Sequence, residues 1–482
     1  MRALGYSLAL AVTLATTASA ADLVHTIDVL VDSSPLSARS SIGIEVVDLK
    51  SGKPVYTRNE NRYFLPASNM KLLTTGMALM KLGADYRFQT RVILESSGDL
   101  LLVGSGDPSM SGRVYPYRHG VPNEAPLHAI EELAEQAVAS GLTRVRGDIA
   151  GDDRLYPWAP YPPSWTQDDA MGENGAPVSA LTVTDNLITV TFTPGAKPGD
   201  LAKLSLSPAL EYFAIDNRIL TVAGTREAQI GLTRIPGGRQ LLFEGTIPDG
   251  GASHHATVAL DDPALYAACA LYDALTRRGV IIDGHPVARH RGSDDPYVAP
   301  EGTLLATRYS PPAVQLIQMA DKVSENLHAE LLLRETGRVE HKYGTREAGL
   351  GALESFIRQI GGLPADARID DGSGLSRNTL VTPRLVTRLL TYMYGTSQRD
   401  TWVSMLPIGG VDGTLAGRLC CASETHAIHA KTGTLNRAIA LSGYAESKAR
   451  GWLAFSILVN DFGASEGEIR EWIDKIASAL IE

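Results

Sequence analysis

Ser68 and Lys71 form a pair whose residue types and spacing could do chemistry. The segment after Pro66 has the apolar spacing of a helix, which Gly83 ends. Residues i and i+3 lie side by side on a helix, so the lysine amine could be the base for a serine nucleophile. Backbone N–H groups at the helix start would favour negative charge developing there. A serine at this place is equally an ordinary helix cap, and the pair alone does not decide.

A second lysine lies far along the chain, in the segment HAKTGTL, which is predicted to be a strand. Its ammonium could attract a substrate carboxylate, and the threonine hydroxyls could add hydrogen bonds. The glycine would let a substrate approach the backbone. A second cation near Lys71 would also lower the pKa of that lysine, which a lysine base requires. The segment contains Lys431, Thr432, Gly433 and Thr434.

A third element, Ser-x-Asn, occurs twice. One copy, Ser324 to Asn326, lies in a segment of helical periodicity. The other, Ser376 to Asn378, lies in the turn-rich segment DDGSGLSRNTL. The physics of the sequence does not choose between them. Each motif taken singly has an ordinary structural explanation, as a cap, a solvated lysine or a strand followed by a turn.

The elements that must position these residues come from both ends of the chain. Residues 41–64 alternate apolar and polar around Ser51-Gly52 and predict a β-hairpin. Two late strands are predicted in residues 426–447 and 451–461, followed by a terminal helix that packs on the sheet. We expect one antiparallel sheet built from both chain ends and covered by helices, an α+β fold.

The length of 482 residues predicts two or three domains. Residues 1–20 have a basic start, an apolar middle and an Ala-x-Ala ending, which predicts a signal peptide and an exported, soluble protein. Residues 21–87 and 298–482 are predicted to form the catalytic domain. Residues 88–297 contain short strands separated by Gly, Pro and Asp, and predict an inserted β-rich region with two nested subdomains.

Composition and metal-binding residue types exclude several classes of function. The net charge of −10 disfavours a nucleic-acid or anionic-membrane partner. The three cysteines cannot build a disulfide framework, although Cys420 and Cys421 could form a vicinal disulfide; burial as small apolar side chains is favoured for them. His426 and His429 approach a predicted strand, where their spacing points them to opposite faces, so no metal site is expected.

Taken together and in this order, Ser-x-x-Lys, Ser-x-Asn and Lys-Thr-Gly resemble the signature of penicillin-binding proteins and serine β-lactamases, the serine penicillin-recognising superfamily. The chain is most similar to the class C low-molecular-mass penicillin-binding proteins, the D-alanyl-D-alanine carboxypeptidase/endopeptidases. That class carries large β-rich domains between the first two motifs, as do the 256 positions from Ser68 to Ser324 here. The resemblance rests on PASNMKLLTT, GSGDPSM, GDIAGDD, SALTVTDN, SENLHAE, DGSGLSRN, LPIGGVDGTL and HAKTGTL.

The resemblance implies a β-lactamase/transpeptidase-like sheet and assigns the doubled motif. In the family the middle motif is followed by Asn-x-x-Ala-Glu, as in SENLHAE, so Ser324 and Asn326 take its role, while DGSGLSRN is a loop beside the site. It implies a nucleophile, Ser68; a general base, Lys71; a proton relay, Ser324; and a residue that orients the base, Asn326. Backbone N–H groups of Ser68 and Thr434 would form the oxyanion hole, and the terminal carboxylate would be held by Lys431, Thr432 and Thr434.

The resemblance further implies peptidoglycan stem peptides as substrates and β-lactams as covalent inhibitors. No cofactor is expected. The signal peptide, with a terminal helix that lacks the basic face of a membrane anchor, predicts a periplasmic location. It leaves open the balance between carboxypeptidase and endopeptidase activity. Arg377 is a candidate for binding an acidic group on the substrate's side chain, and pairing with Asp370 or Asp371 is an equal alternative. Rival functions are a serine β-lactamase and a non-catalytic wall-binding protein. A Ser-His-Asp hydrolase centred on Ser465 is excluded, because no histidine follows that serine.

Overall fold

The computed structural model describes residues 22–224, 227–235, 237–420 and 425–482. The predicted signal peptide and Cys421 lie outside these residues, so the predicted cleavage and the vicinal disulfide belong to the undescribed part. Over the described ranges, no helix combines the length and apolarity that crossing a membrane requires. Cys420 is exposed and Cys269 is half-buried, so the expectation that Cys420 is a buried apolar side chain is wrong.

The helices and strands of the described residues have the following bounds. The helices are α1 (22–32), α2 (Met70–Leu82), α3 (His128–Ala139), α4 (Pro263–Arg277), α5 (Ala313–Lys322), α6 (Asn326–His341), α7 (Arg346–Gln359), α8 (Pro383–Tyr394), α9 (Arg399–Met405) and α10 (Glu466–Ala479). The strands are β1 (Ser41–Asp48), β2 (Lys53–Arg58), β3 (Gln89–Leu94), β4 (Leu100–Val103), β5 (Arg144–Val145), β6 (Ile149–Asp152), β7 (Leu187–Thr193), β8 (Lys203–Ser207), β9 (Ala214–Val222), β10 (Gln229–Arg234), β11 (Gln240–Pro248), β12 (His254–Ala259), β13 (Ile281–Ile282), β14 (Pro286–Arg289), β15 (Thr303–Tyr309), β16 (Ala367–Arg368), β17 (Leu380–Val381), β18 (Ile428–Leu435), β19 (Ala438–Ser447) and β20 (Gly451–Asn460).

The main sheet is antiparallel throughout and has the strand order β18-β19-β20-β1-β2. It joins both ends of the chain, as predicted, and the β1–β2 hairpin around Ser51-Gly52 is confirmed. The late segment predicted as one strand forms two, β18 and β19. The chain reverses between them at Asn436-Arg437, where Arg437 has a positive φ of 61°. Apolar residues flank this turn closely, so alternation alone did not mark it.

Each face of the main sheet is covered by helices, which fits the predicted α+β class. Alternating residues of β19 point to opposite sides. Ala440 and Tyr444 pack with α2, α7 and α8 in one apolar core, and Ile439 and Leu441 pack with α1 and α10 in another. The terminal helix therefore packs on the sheet, as predicted, and buries Trp472 there.

The inserted region has its own core between three sheets and the helices α3 and α4. Its largest sheet has the order β14-β6-β4-β3-β15, and two three-stranded sheets have the orders β10-β11-β9 and β12-β7-β8. Strand β15 lies beyond the predicted boundary at residue 298, yet it pairs antiparallel with β3 of the inserted region. The chain thus leaves that region after Tyr309. The boundary was predicted too early because the exposed polar stretch before β15 resembles a linker in composition. The sequence of a strand also does not show which strand it pairs with.

The inserted region packs directly on α6, which lies in the predicted catalytic domain. Tyr156 is buried with Val178 and Ala180 against Leu327 and Leu331. Its phenol oxygen donates to Glu335 Oε2 at 2.8 Å. This contact places the inserted region beside the start of α6, which follows the Ser-x-Asn motif at Ser324.

Tyr444 ties the helical layer to the main sheet, and its removal tests that connection. Its hydroxyl donates to the Leu390 carbonyl at 2.7 Å and accepts the Trp402 Nε1–H at 3.0 Å. Tyr444→Phe leaves the buried Trp402 N–H without its acceptor, so we expect a loss of about 1–3 kcal/mol in the free energy of unfolding, measured by urea titration. Tyr392→Phe is the control, because the Tyr392 hydroxyl accepts an exposed hydrogen bond from Gln359. Equal effects of the two substitutions would contradict this account.

Candidate active site

Ser68 lies in a tight 3₁₀ turn that leads into α2, so the α-helix begins at Met70, two residues after the serine. Asn69 precedes the helix and makes no side-chain capping bond. The Ser68 hydroxyl oxygen lies 2.9 Å from Lys71 Nζ. Ala67, the residue before the serine, has a positive φ of 47°. This conformation is unfavourable for any residue that has a side chain, so the surrounding contacts must hold it. The helix-cap alternative is therefore wrong for Ser68, whose hydroxyl faces the lysine.

Lys71 is fully buried, and three oxygens surround its amine. Besides the serine, Nζ lies 2.5 Å from Asn326 Oδ1 and 3.0 Å from the Ser373 carbonyl oxygen. Burial lowers the pKa of Lys71 from 10.5 to about 8. We predicted that a second cation would lower it; the main cause is instead the loss of hydration. The carboxyls that oppose this shift belong to Glu325, Asp371, Glu330 and Asp321.

Lys431 lies on β18, also fully buried, and connects two motifs. Its Nζ lies 2.9 Å from Ser324 Oγ and 2.8 Å from the Thr432 carbonyl oxygen. Burial, followed by repulsion from the Lys71 ammonium, lowers the pKa of Lys431 well below its usual value. The Lys431 carbonyl accepts a hydrogen bond from Asn69 Nδ2 at 2.9 Å, which ties β18 to the start of α2.

The turn between α5 and α6 carries the Ser-x-Asn motif to the two lysines. Ser324 has a positive φ of 65°, and Asn326 is the first residue of α6. The Asn326 amide oxygen faces Lys71, while its Nδ2 donates to the carbonyl of Asn174 at 2.7 Å. Asn174 belongs to the inserted region. The structure thus brings Ser324 and Asn326 to the lysines, whereas the hydroxyl of Ser376, in the other copy, bonds to Ser164 Oγ at 2.6 Å.

Gly433 allows β18 to approach the serine turn at backbone distance. A Cβ at this position would lie 2.7 Å from the Pro66 carbonyl oxygen and 3.1 Å from the Ser68 amide nitrogen. The sequence suggested that this glycine lets a substrate approach the backbone. In the structure it is the protein's own serine turn that approaches the glycine. Thr432 Oγ1 shares a hydrogen bond of 2.8 Å with Thr414 Oγ1, and Thr434 is exposed at the cavity.

The loop DGSGLSRN is built so that one of its carbonyls faces Lys71. Glu330, buried on α6, accepts the amide N–H groups of Gly372 and Ser373 at 2.9 and 2.8 Å. Burial, with repulsion from Asp371, raises the pKa of Glu330 to about 7. Gly374 has a positive φ of 79°, and a Cβ there would lie 1.9 Å from the Ala67 carbonyl. The loop therefore supports both the Lys71 amine and the serine turn.

Arg377 reaches across the cavity to the inserted region. Its guanidinium pairs with the carboxylate of Asp169, and its side chain is 42% exposed. The alternative that it pairs with Asp370 or Asp371 is wrong. Asp370 pairs with Arg346, and Asp371 accepts the Trp165 Nε1–H at 3.0 Å. The sequence could not identify Asp169 as the partner, because it lies some 200 positions from Arg377 whereas Asp370 and Asp371 lie close by.

These residues surround a cavity of about 460 Å³. Several lining residues were not predicted as site residues, among them Thr414, Asn174 and Asp169. Thr414 lies in LPIGGVDGTL, a segment that supported the family resemblance without a role for the threonine. Asn174 and Asp169 lie in the inserted region, where nothing in the sequence marks them. The lining of the cavity comprises Ser68, Asp169, Asn174, Val323, Ser324, Asn326, Gly374, Leu375, Arg377, Thr414, Thr432, Thr434, Leu435, Asn436 and Glu466.

Comparison with known proteins adds independent findings. The D-Ala-D-Ala carboxypeptidase 3 (S13) family matches residues 23–480. The chain is 34% identical to a D-alanyl-D-alanine carboxypeptidase of Actinomadura sp., over 91% of this chain and 81% of that protein. It is 23% identical to the D-alanyl-D-alanine carboxypeptidase DacB of Haemophilus influenzae, over 89% and 87%.

Solved structures show the same fold. The crystal structure of penicillin binding protein 4 (dacB) from Haemophilus influenzae superimposes with a TM-score of 0.79 at 21% identity, covering 95% of this chain and 97% of that one. The resemblance read from the three motifs is thus confirmed by the whole length of the chain. The protein belongs to the D-Ala-D-Ala carboxypeptidase 3 (S13) family of low-molecular-mass penicillin-binding proteins and is a serine-type D-Ala-D-Ala carboxypeptidase.

Proposed function

We propose that the protein cleaves the D-alanyl-D-alanine end of peptidoglycan stem peptides through an acyl-enzyme on Ser68, and that penicillins acylate the same serine. The observation that carries this proposal is the 2.9 Å separation of Ser68 Oγ from a buried Lys71 amine whose pKa is lowered to about 8. A neutral amine at this distance can accept the serine proton. The contacts with Asn326 and Ser373 fix its position.

Acylation begins when Lys71 takes the Ser68 proton and the serine oxygen attacks the carbonyl carbon between the two D-alanines. The backbone N–H groups of Ser68 and Thr434 stabilise the oxyanion. The proximity of Gly433 to the Ser68 amide supports this pairing, since it brings β18 alongside the serine. When the C–N bond breaks, Ser324 passes a proton to the leaving amine, and free D-alanine departs.

The terminal carboxylate of the substrate lies against Thr432 and Thr434, which line the cavity. Lys431 is buried behind them and is absent from the lining, so its charge attracts the carboxylate without exposed contact. An arriving anion favours the protonated form of Lys431 and reverses part of the pKa depression that burial causes. Lys431 also holds Ser324 at 2.9 Å, which places the relay beside the leaving amine.

Water completes the cycle by attacking the ester: its hydroxyl goes to the acyl carbon and its proton returns to Ser68. When the leaving amine belongs to a neighbouring stem peptide, the same steps cut a cross-link, which is endopeptidase activity. A β-lactam opens on Ser68 in the same way. The predicted signal peptide at residues 1–20 supports a periplasmic location, where these substrates lie.

The first prediction concerns the nucleophile. Fluorescent penicillin should label the purified protein and form a slowly hydrolysed adduct, and Ser68→Ala should abolish labelling. Ser465→Ala, at the exposed start of α10, is the matched control and should label fully.

Digestion of purified muropeptide monomers and cross-linked dimers should release D-alanine and separate the dimers. Rapid turnover of penicillin would indicate a β-lactamase, and a folded protein without labelling would indicate a binding protein.

The second prediction concerns the pH dependence of acylation. The base acts only when neutral, so the second-order rate constant for penicillin acylation should rise with pH through about 8 and then level off, following the lowered pKa of Lys71. Lys71→Arg should remain inactive at every pH, because a guanidinium stays protonated. A rate constant that does not change between about pH 6 and pH 10 would exclude Lys71 as the base.

The third prediction concerns Arg377, which we propose binds an acidic group on the side chain of the stem peptide. Arg377→Ala should lower kcat/KM roughly tenfold for a stem peptide with a free side-chain carboxylate, the loss expected for one charge-assisted hydrogen bond. The same peptide amidated at that carboxylate should be cleaved equally by both proteins. An equal loss on both peptides would show that Arg377 acts only through its pairing with Asp169.

A further inference from the structure

Glu325, the middle residue of the Ser-x-Asn motif, is bound by the inserted region. Its carboxylate makes no capping bond at the start of α6. It instead accepts Arg113 Nη2 at 2.6 Å, and Arg113 Nε donates to Asp185 Oδ2 at 2.8 Å. Arg113 and Asp185 both belong to the inserted region. One guanidinium thus joins a carboxylate of that region to a carboxylate of the catalytic motif.

The three side chains of this bridge are largely withdrawn from water. Arg113 is 19% exposed, and Glu325 and Asp185 are each 13% exposed. Ion pairs in such surroundings are strongly affected by the removal of one partner, because the remaining charge is left buried and unpaired. The planar fork of arginine also fixes the direction of both contacts, which a lysine cannot do.

The turn that this bridge holds is one that local forces do not favour. Ser324 has a positive φ of 65°, a conformation that a serine adopts only when surrounding contacts impose it. On either side of Glu325, the Ser324 hydroxyl and the Asn326 amide lie 2.9 and 2.5 Å from the amines of Lys431 and Lys71. A small rotation of the turn would break both contacts.

Two further contacts connect the inserted region to the same part of α6. The Asn174 carbonyl accepts Asn326 Nδ2 at 2.7 Å, and Asp185 Oδ1 lies 3.5 Å from Nε2 of the buried His328. Asp185 itself lies in a turn of positive φ, at 55°. Together with the Arg113 bridge, these contacts join the inserted region to the first turn of α6.

Arg113 also balances a charge that faces the general base. Of the carboxyls whose charge raises the pKa of Lys71, that of Glu325 has the largest effect. The cation of Arg113 lies directly on this carboxylate and opposes its effect. The other charged groups that face Lys71 are Asp371, Glu330, Asp321 and Lys431.

We propose that Arg113 is a positioning residue for the hydrolytic site. From the inserted region it binds Glu325, and this contact both fixes the Ser-x-Asn turn and neutralises the Glu325 carboxylate that faces Lys71. The proposal rests on the acyl-enzyme function proposed above. It gives the inserted region a part in catalysis in addition to any binding role.

The test measures penicillin acylation against pH, with hydrogen exchange of the amides at residues 323–327 as a second readout. Arg113→Ala should lower the acylation rate constant tenfold or more and move the midpoint of its pH profile upward, because Glu325 is left unopposed. Glu325→Gln should move the midpoint downward. Arg113→Ala combined with Glu325→Gln should bring the midpoint back while the rate stays low. Arg113→Lys should keep the midpoint and lose rate.

The matched control is Arg289→Ala. Arg289 bridges Glu95 and Asp99 within the inserted region, at 2.8 and 2.7 Å, away from the site. It should leave the rate, the midpoint and the exchange at 323–327 unchanged. Arg113→Ala should speed that exchange, a readout that needs no activity.

Several outcomes would overturn the proposal. One is unchanged exchange at 323–327 in Arg113→Ala; another is a pH midpoint that stays fixed in both Arg113→Ala and Glu325→Gln. A third is an equal loss of rate in Arg289→Ala. If Arg113→Ala does not fold, Arg113→Lys and Glu325→Gln decide by the same measures. Absence of acylation in the unaltered protein would instead refute the proposed function, and the exchange measurement would still test the bridge.

Discussion

The removal of the Lys71 amine from water is the constraint on which the rest of the structure depends. An amine in water at neutral pH is protonated and cannot take a proton from serine. Burial lowers the affinity of the amine for protons, but a buried amine must also have hydrogen-bond partners. Here the partners are a serine, a side-chain amide and a backbone carbonyl, drawn from three separate parts of the chain. Sheet, helices and loop are arranged so that these three oxygens meet at one nitrogen.

This arrangement explains which features could be predicted from sequence. Ser68 and Lys71 share one turn of chain, and the strand that carries Lys431 has a clear apolar pattern, so local rules found both. The antiparallel sheet followed from a hairpin at one end of the chain and strands at the other. The choice of Ser324 over Ser376 did not follow from local rules, because each lies in a plausible turn. It required the family resemblance, and the structure places only the former at the lysines.

Other parts of the site could not be predicted because they depend on long-range packing. The partner of Arg377 is Asp169, whose own neighbourhood in sequence has no recognisable pattern. Strand β15 looks like the end of a linker until its pairing with β3 is known. The cause of the lowered pKa of Lys71 was assigned to a neighbouring cation, whereas the depth of burial, which only the folded chain reveals, is the larger effect. The inserted region looked separate from the chemistry, yet it supplies contacts to Asn326 and Glu325.

The contact at Gly433 has a consequence for how this protein can vary. The spacing between the nucleophile and β18 is set by backbone against backbone, with no side chain between them. Substitutions exchange side chains and repack them. A distance that is set by main-chain atoms alone does not change with such substitutions. The part of the cavity between β18 and the serine turn is therefore insulated from side-chain changes elsewhere. The part of the cavity lined by side chains such as Asp169 and Arg377 has no such main-chain constraint, so single substitutions can change it.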